Sequence, residues 1–291
     1  MDNKPKNKKR RRLVGLAASM AAAIFMVWIA WANTALVLTE ITVANAKLPA
    51  AFAGYRIAHI SDLHNAEFGA GNERLLTMLA DVEPDLIVIT GDLADSRHTD
   101  IDAALRFAAG AVAIAPAYYV TGNHEARLAD YAELEAGLTH CGVTVLHDEG
   151  IELLQEDRSI RLLGLDDPSF SPTGDWLFDD AEANVTARLT ALMADETAYT
   201  ILLSHRPELV AGYAAAGVDL VFSGHAHGGQ FRLPFAGGLL APGQGLFPRY
   251  DAGLYAYGAT GMSVSRGLGN SVFPFRFNNR PEVVLVTLMR E

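Results

Sequence analysis

Five short apolar runs, each followed by a loop rich in Gly, Asp, His or Asn, constrain this chain more than any other feature. The runs lie at 56–60, 86–90, 117–120, 200–203 and 219–222. Each is mostly β-branched, aromatic or leucine, the composition of strands buried on both faces. Helix-like stretches separate them at 73–81, 101–113, 126–140, 181–194 and 208–216. Strands alternating with helices predict a layered α/β architecture. Residues 36–43 alternate well enough for an earlier strand, 151–165 reads as a hairpin around Glu156-Asp157-Arg158, and 282–288 as a last strand. No internal repeat or composition break marks a second domain, and 291 residues suffice for a substantial core.

The loops carry the chemistry. In order they hold Asp62-Leu63-His64, Gly91-Asp92-Leu93-Ala94-Asp95, Gly122-Asn123-His124-Glu125, His205, and Gly224-His225-Ala226-His227-Gly228-Gly229-Gln230. Singly these are weak signals, since Asp-x-His arises by chance and Gly-Asp is a common turn. Together they gather five of the nine histidines, each after a buried strand, where sites form in open α/β sheets. Two divalent cations need about six to eight oxygen and imidazole ligands on rigid supports. One carboxylate should bridge the pair, with a water left between the ions. On an extended segment, residues i and i+2 project to one side, which puts Asp62 and His64 on one metal. The same argument puts His225 and His227 together. Glycines at 91, 122, 224, 228 and 229 let the backbone turn sharply and approach a phosphate.

These motifs resemble those of the calcineurin-like metallophosphoesterases: Asp-x-His, Gly-Asp-x-x-Asp, Gly-Asn-His-Asp/Glu, a lone His, and Gly-His-x-His. Asp62 to Asp92 spans 30 residues and Asp92 to Asn123 spans 31, and every motif position is filled. Ser61-Asp62-Leu63-His64-Asn65, 84–92, Gly228-Gly229-Gln230, 263–269 and Arg280-Pro281-Glu282 are similar to the exported or membrane-anchored YkuE-like branch. The resemblance implies a four-layer αββα sandwich and a phosphoesterase, more fittingly a phosphodiesterase, whose nucleophile is a hydroxide bridging two metals. It implies Asp62, His64 and His227 on the first metal, Asp92 bridging, and Asn123, His205 and His225 on the second. His225 and His227 are thereby separated, against the geometric argument. His124 would face substrate, either protonating the departing oxygen or stabilising phosphoryl charge, with Asp95 holding its ring. Asp95 could instead serve as a helix cap near Ser96. Asp, His and Asn ligands suit manganese, iron, zinc or cobalt alike.

Charge is unevenly placed. Residues 1–12 hold seven bases and one acid, leaving 16 bases against 33 acids and a formal −17 in residues 13–291. So acidic a body repels polyanions, which argues against nucleic acid as the main partner. Residues 13–32 form a run of 20 without a charge, long enough to span a bilayer as a helix. Trp28 and Trp31 near its far end suit the membrane–water interface, and the bases ahead of it place the N-terminus in the cytoplasm and the body outside. The expected organisation is a basic cytoplasmic tail (1–12), a transmembrane signal anchor (13–32), a linker with the first strand (33–49) and a metallophosphoesterase domain (50–291). Cleavage and export is the competing reading, since Ala30-Trp31-Ala32 resembles a small-x-small site and Arg11-Arg12 weakly resembles a twin-arginine signal.

Tethering suggests a phospholipid or envelope substrate. The alternatives are cleavage of the pyrophosphate in a nucleotide-linked glycolipid precursor of UDP-diacylglucosamine type, which outward topology disfavours, and hydrolysis of a non-phosphate ester. A non-catalytic, metal-bearing anchored module is the third, and it would have no need of His124 and Asp95. The single cysteine, Cys141, excludes an intrachain disulfide and a cysteine metal cluster, and reads as a small buried residue. His59 reads as a core histidine, His98, His140 and His147 as solvated, and Asp166-Asp167-Pro168 as a turn. Arg249, Arg266 and Arg276 are further candidates for substrate phosphate, without a spacing rule behind them.

Overall fold

The protein's structure, a computed structural model, describes residues 4–171, 181–193, 197–271 and 273–291. Residues 1–3 of the expected tail and the last residue of the helix expected at 181–194 lie outside these. The chain begins with α1 (Lys4–Thr34), β1 (Val37–Ala44), β2 (Arg56–Ile60), α2 (Glu73–Asp81), β3 (Leu86–Thr90), α3 (Ile101–Val112) and β4 (Ala117–Val120). There follow α4 (Tyr131–Cys141), β5 (Thr144–Val145), β6 (Glu149–Gln155), β7 (Arg158–Gly164), α5 (Ala181–Leu192), β8 (Thr200–Leu203), α6 (Val210–Ala215) and β9 (Leu220–Ser223). Two short hairpins come next: β10 (Arg232–Leu233) with β11 (Gly237–Gly238), then β12 (Leu240–Ala241) with β13 (Gly245–Leu246). The last strands are β14 (Gly253–Tyr257), β15 (Thr260–Val264) and β16 (Glu282–Met289).

Strand side chains alternate between two apolar layers, and that alternation builds the sandwich. In β3, Leu86 and Val88 face inward to meet Ile201, Leu203, Leu220 and Phe222. Ile87 and Ile89 face outward onto Leu75, Leu79, Ala104 and Phe107 of α2 and α3. The inner layer joins two six-stranded sheets, β1-β16-β2-β3-β4-β5 and β14-β15-β9-β8-β7-β6. On the far side, Leu202, Val221 and Met262 pack against Val185 and Leu189 of α5 and Val210 and Tyr213 of α6. Phe222 is fully buried, and burying one such side chain stabilises the fold by roughly 1.5–3 kcal/mol. The order helix, sheet, sheet, helix is the expected αββα arrangement.

Local signals set the helix ends. The Asp100 carboxylate accepts from Ala103 N at 2.9 Å and caps α3. Gly142, at φ 96°, ends α4 in the left-handed conformation. Two helices start later than expected, because Glu125–Arg127 and Pro207–Leu209 form 3-10 turns ahead of them. The β14–β15 hairpin was not among the expected strands; glycines at 253, 258 and 261 interrupt its apolar alternation. Within α1, Lys8–Thr34 is long and apolar enough to cross a membrane; its most apolar window has mean hydropathy 2.2, and none of that window is buried against the body.

Candidate metal centre

The polar loops converge because β2, β3, β4, β8 and β9 are mutually parallel within their sheets and end at the same edge. The turn at that edge is made by the functional residues themselves. Asp62, His64, Asp92, His225 and His227 have φ of 51°, 46°, 52°, 63° and 49°. Left-handed backbone is uncommon for residues with a side chain, and it collects at functional sites. The extended-segment argument for Asp62 and His64 is therefore corrected: they meet through two left-handed residues. Gly122 and Gly224 matter through close approach. A Cβ on Gly122 would collide with the Asp92 carboxylate, and one on Gly224 with Ser61 and Asp62.

Two groups of ligand atoms form around Asp92. Asp62, His64, Asp92 and His227 make one, and Asp92, His205 and His225 the other. Asp92 Oδ2 lies 3.5 Å from His64 Nε2 and 3.4 Å from His205 Nε2, while Oδ1 accepts from His124 N at 2.7 Å. His227 Nε2 is 3.2 Å from Asp62 Oδ1 and 3.2 Å from His64 Nε2. His225 Nδ1 is 3.1 Å from His205 Nε2. His225 and His227 thus fall on opposite sides of Asp92, because the kink at 225–228 turns the second ring away from the first. His205 Nδ1 donates to Thr90 O at 2.7 Å, which leaves Nε2 to face Asp92. The donor set fits divalent cations, and one atom tests the fit. Asn123 Oδ1 is buried without a hydrogen-bond partner, a costly state that a nearby cation would relieve.

Charge inside this cluster is tightly balanced. Burial raises the Asp62 carboxyl to about 6, helped by Asp92 and opposed by His205 and Arg276. Burial also works against an ionised Asp92, but His205, His64 and His124 outweigh it and hold that carboxyl well below the usual range. Burial opposes a proton on His205, yet Asp92, Asp62 and Asp167 together raise it to about 10. Burial lowers His64 to about 3 and pushes His225 and His227 well below the ordinary imidazole range. Ligation at His205 Nε2 requires the neutral ring, so metal affinity depends on pH.

His124 stands beside the ligands with a different attachment. Its Nδ1 accepts from Ser96 N at 3.1 Å and lies 3.1 Å from Ser96 Oγ. Asp95 Oδ1 is farther, at 3.5 Å. The Asp95 carboxylate accepts instead from Arg97 N at 2.8 Å and from the Arg97 side chain. It makes a turn there and caps no helix. His64, Asp95 and His124 also fall within metal-binding reach of one another; with Asp95 committed to Arg97 and His124 Nδ1 to Ser96, that group has no free ligand set. Burial lowers the pKa of His124, with Arg97 and Arg127 adding to it against Asp92 and Asp95.

The region 55–229 matches the family model described as calcineurin-like phosphoesterase. The chain belongs to that family. Among its relatives, the metallophosphoesterase YkuE of Bacillus subtilis is 31% identical and covers 86% of this chain and 84% of its own length. The phosphodiesterase YaeI of Escherichia coli is 28% identical over 81% of this chain and 83% of its own. A Bos taurus protein named as a transmembrane protein with a metallophosphoesterase domain is 29% identical over 96% of this chain and 64% of its own. The calcineurin-like family uses a dimetal centre, and this chain has two clustered groups of His and Asp, sharing Asp92, that could hold metal ions.

The remaining candidates belong to neither ligand group. Arg276 is fully buried and donates to the carbonyls of Arg266 and Gly269; its Nη2 lies 3.4 Å from His227 Nδ1. Arg266 pairs with Glu282 at 2.8 Å, and Arg249 lies over the Tyr250 ring. His59 is a core histidine, bonded to Thr90 Oγ1 at 2.8 Å and packed on Phe222. His147 departs from the solvated reading: it is half-buried, 2.9 Å from Asp166 and 3.2 Å from Glu135. Cys141 is partly exposed, not buried. Asp167 caps the turn at 168–170 and holds Arg206 at 2.7 Å.

Two contributors were given no role by the sequence reading. Glu125 is fully buried and its carboxylate accepts from the N–H groups of Asp92, Leu93, Ala94 and Gly122 at 2.8–3.2 Å. It joins the β3 and β4 loops that carry Asp92 and Asn123. An acid directly after Asn-His in a Gly-led loop was its available signal. Ser96 acts chiefly through its backbone and had none.

Proposed function

We propose that this protein is a phosphodiesterase in which Asp62, His64 and His227 hold one divalent cation, Asn123, His205 and His225 hold the other, and Asp92 bridges them. The observation that carries this reading is the position of Asp92 Oδ2, 3.5 Å from His64 Nε2 and 3.4 Å from His205 Nε2. A pair of cations at such a site lowers the pKa of a water toward neutrality and neutralises phosphoryl oxygens. The chain supplies the rest. Glu125 keeps the two carrier loops in register, and the left-handed residues aim the ligands inward.

His124 is the side chain that reaches the substrate. Because Nδ1 accepts the Ser96 N–H, the neutral ring carries its proton on Nε2 and offers a hydrogen bond to a phosphoryl oxygen. This favours charge stabilisation over protonation of the leaving group. Relationship to YaeI supports a diester substrate. The basic residues at the start of α1 favour a body on the outer face, within reach of lipid or envelope phosphodiesters.

The deciding experiment uses the full chain in detergent, loaded in turn with manganese, iron, zinc or cobalt. Bis(p-nitrophenyl) phosphate and p-nitrophenyl phosphate are compared, with Asp92→Asn as control. Hydrolysis favouring the diester is expected, and Asp92→Asn should lose both metal and turnover. Near-normal turnover by that variant removes the bridging role; preference for the monoester removes the diester assignment. Protease added outside intact cells should cut the body, and its protection there would reverse the sidedness.

A further inference from the structure

The chain that carries His227 leads directly into an exposed apolar rim. Beyond Gly229 the hairpins β10–β11 and β12–β13 present Phe235, Leu240, Leu246 and Phe247 to solvent, and Phe273 and Phe275 stand exposed beside them. Leu233 is exposed there too, so among the described residues outside α1, seven of the eleven exposed large apolar side chains lie on this rim. Exposure is therefore concentrated, the pattern of an interaction surface. Gln230 Nε2 donates to the carbonyls of Phe273 and Phe275 at 3.3 and 2.9 Å, and the Phe231 ring meets both rings edge-on. A cavity of about 260 Å³, lined by His227, Gln230, Leu240, Pro242 and Phe273, opens between the two halves of the rim. The metal centre and the apolar surface thus share a wall.

Two observations identify what covers it. The first is the position of α1. Phe277, hydrogen-bonded through its carbonyl to Arg232 N of the first hairpin, lies 6.4 Å from the Phe25 ring and 5.4 Å from the Trp28 ring. Asn33 near the end of α1 bonds Arg276 N and O, and Arg280 lies over Trp31. Phe25 and Trp28 sit nine and six residues before α1 ends at Thr34, roughly 9–14 Å down the helix axis. A body touching α1 at that depth rests against the bilayer that α1 would cross. The second is charge. Arg232 and Arg266 are paired with Asp251 and Glu282 and Arg276 is buried, which leaves Arg249 exposed beside the rim, in a body whose formal charge is −17. The exposed Arg249 flanks Phe247, as a headgroup-facing cation flanks an inserted apolar side chain.

We infer that the rim is seated in the membrane surface around the mouth of the metal centre, so that the substrate is an amphiphilic phosphoester reaching the metals from the bilayer. This rests on the hydrolase reading above. The cavity is smaller than the usual range for enclosing a drug-sized ligand; it takes part of an apolar chain and leaves the rest in the lipid.

The test uses the full chain in vesicles of phosphatidylcholine and phosphatidylglycerol. Phe235→Cys in a Cys141→Ala background carries an environment-sensitive NBD dye. Glu156→Cys in the same background is the control, since it precedes β7, which runs parallel to β8 and starts at the edge opposite the metal loops. The dye at 235 should shift to the blue and be quenched by spin-labelled lipid while that at 156 stays water-like; equal, water-like emission at both overturns the contact. Methyl and hexadecyl p-nitrophenyl phosphate share a leaving group and differ in the chain. The hexadecyl ester should be favoured in kcat/KM by roughly tenfold or more, and Phe235→Asp with Phe247→Asp should remove that advantage while sparing the methyl ester. No advantage in the wild type, or an advantage that survives the double change, overturns the lateral route. Turnover of neither ester by the metal-loaded wild type overturns the hydrolase reading and the lateral route with it, while the dye still decides the membrane contact.

Discussion

Replacing His124 by alanine separates two kinds of catalysis that share a residue. The ring is buried, stacks edge-on against His64 at 4.4 Å, and accepts the Ser96 N–H on Nδ1 at 3.1 Å. A proton added at Nδ1 would point at that donor, so the geometry keeps the ring neutral with its hydrogen on Nε2. Its lowered pKa agrees in sign: the charged form is disfavoured, and the neutral form prevails at and above neutral pH. A neutral imidazole is a poor proton source and a good hydrogen-bond donor. Losing one such donor from a site where charge develops costs about 10²–10³ in kcat, or roughly 2.7–4 kcal/mol of barrier.

The assay is steady-state turnover of two methyl phosphodiesters, one leaving as p-nitrophenolate and one as an alkoxide, at fixed metal content from pH 6 to 8. A donor aimed at the phosphoryl group gives the same fractional loss for both esters in His124→Ala. It also adds no falling limb to the wild-type profile as pH rises. A general acid gives a small loss with p-nitrophenolate, a much larger one with the alkoxide, and a limb that disappears in the variant. The second pattern would refute the role derived from Ser96. A fall in bound metal in the variant would refute it differently, by making His124 a ligand.

Three further changes test separate parts of the structure. Glu125→Gln turns an amide donor toward two of the four backbone N–H groups it now accepts, and metal affinity by calorimetry should weaken about 10–100-fold; unchanged affinity shows that the β3 and β4 loops hold without it. Asp100→Ala removes the cap of α3 and should lower stability by roughly 0.5–2 kcal/mol, read from urea unfolding with turnover retained. His147→Gln should flatten the pH dependence of Tm above pH 6.5. Burial lowers the His147 pKa but Asp166 and Glu135 raise it on balance, so its contribution is full below the unfolded value near 6.5 and fades as pH rises through the folded one. With the ring about one-third exposed, and Asp166 itself still raised by burial despite the histidine, the effect should stay under about 1 kcal/mol; an unaltered Tm profile in the variant shows that the pair contributes nothing.

What was legible in the sequence and what was hidden follow one division. Residue type and order carried the two apolar layers, because Leu86, Ile87, Val88 and Ile89 must alternate whichever partner strands they meet. They also carried which side chains could hold cations, because ligand chemistry resides in the side chain. Backbone conformation did not show. Asp62 and His64 were brought together by the wrong argument, since period-two geometry assumes an extended chain and both residues are left-handed. The same assumption would have placed His225 and His227 on one ion, and only the family resemblance prevented it. Ser96 was hidden for a related reason: the group that orients His124 is chiefly a backbone N–H, which every residue but proline possesses. It follows that the identity of residue 96 should matter little to the orientation of His124 except for proline. An Asp95-centred account of that ring predicts the reverse, a site sensitive to residue 95 and indifferent to a proline that follows it.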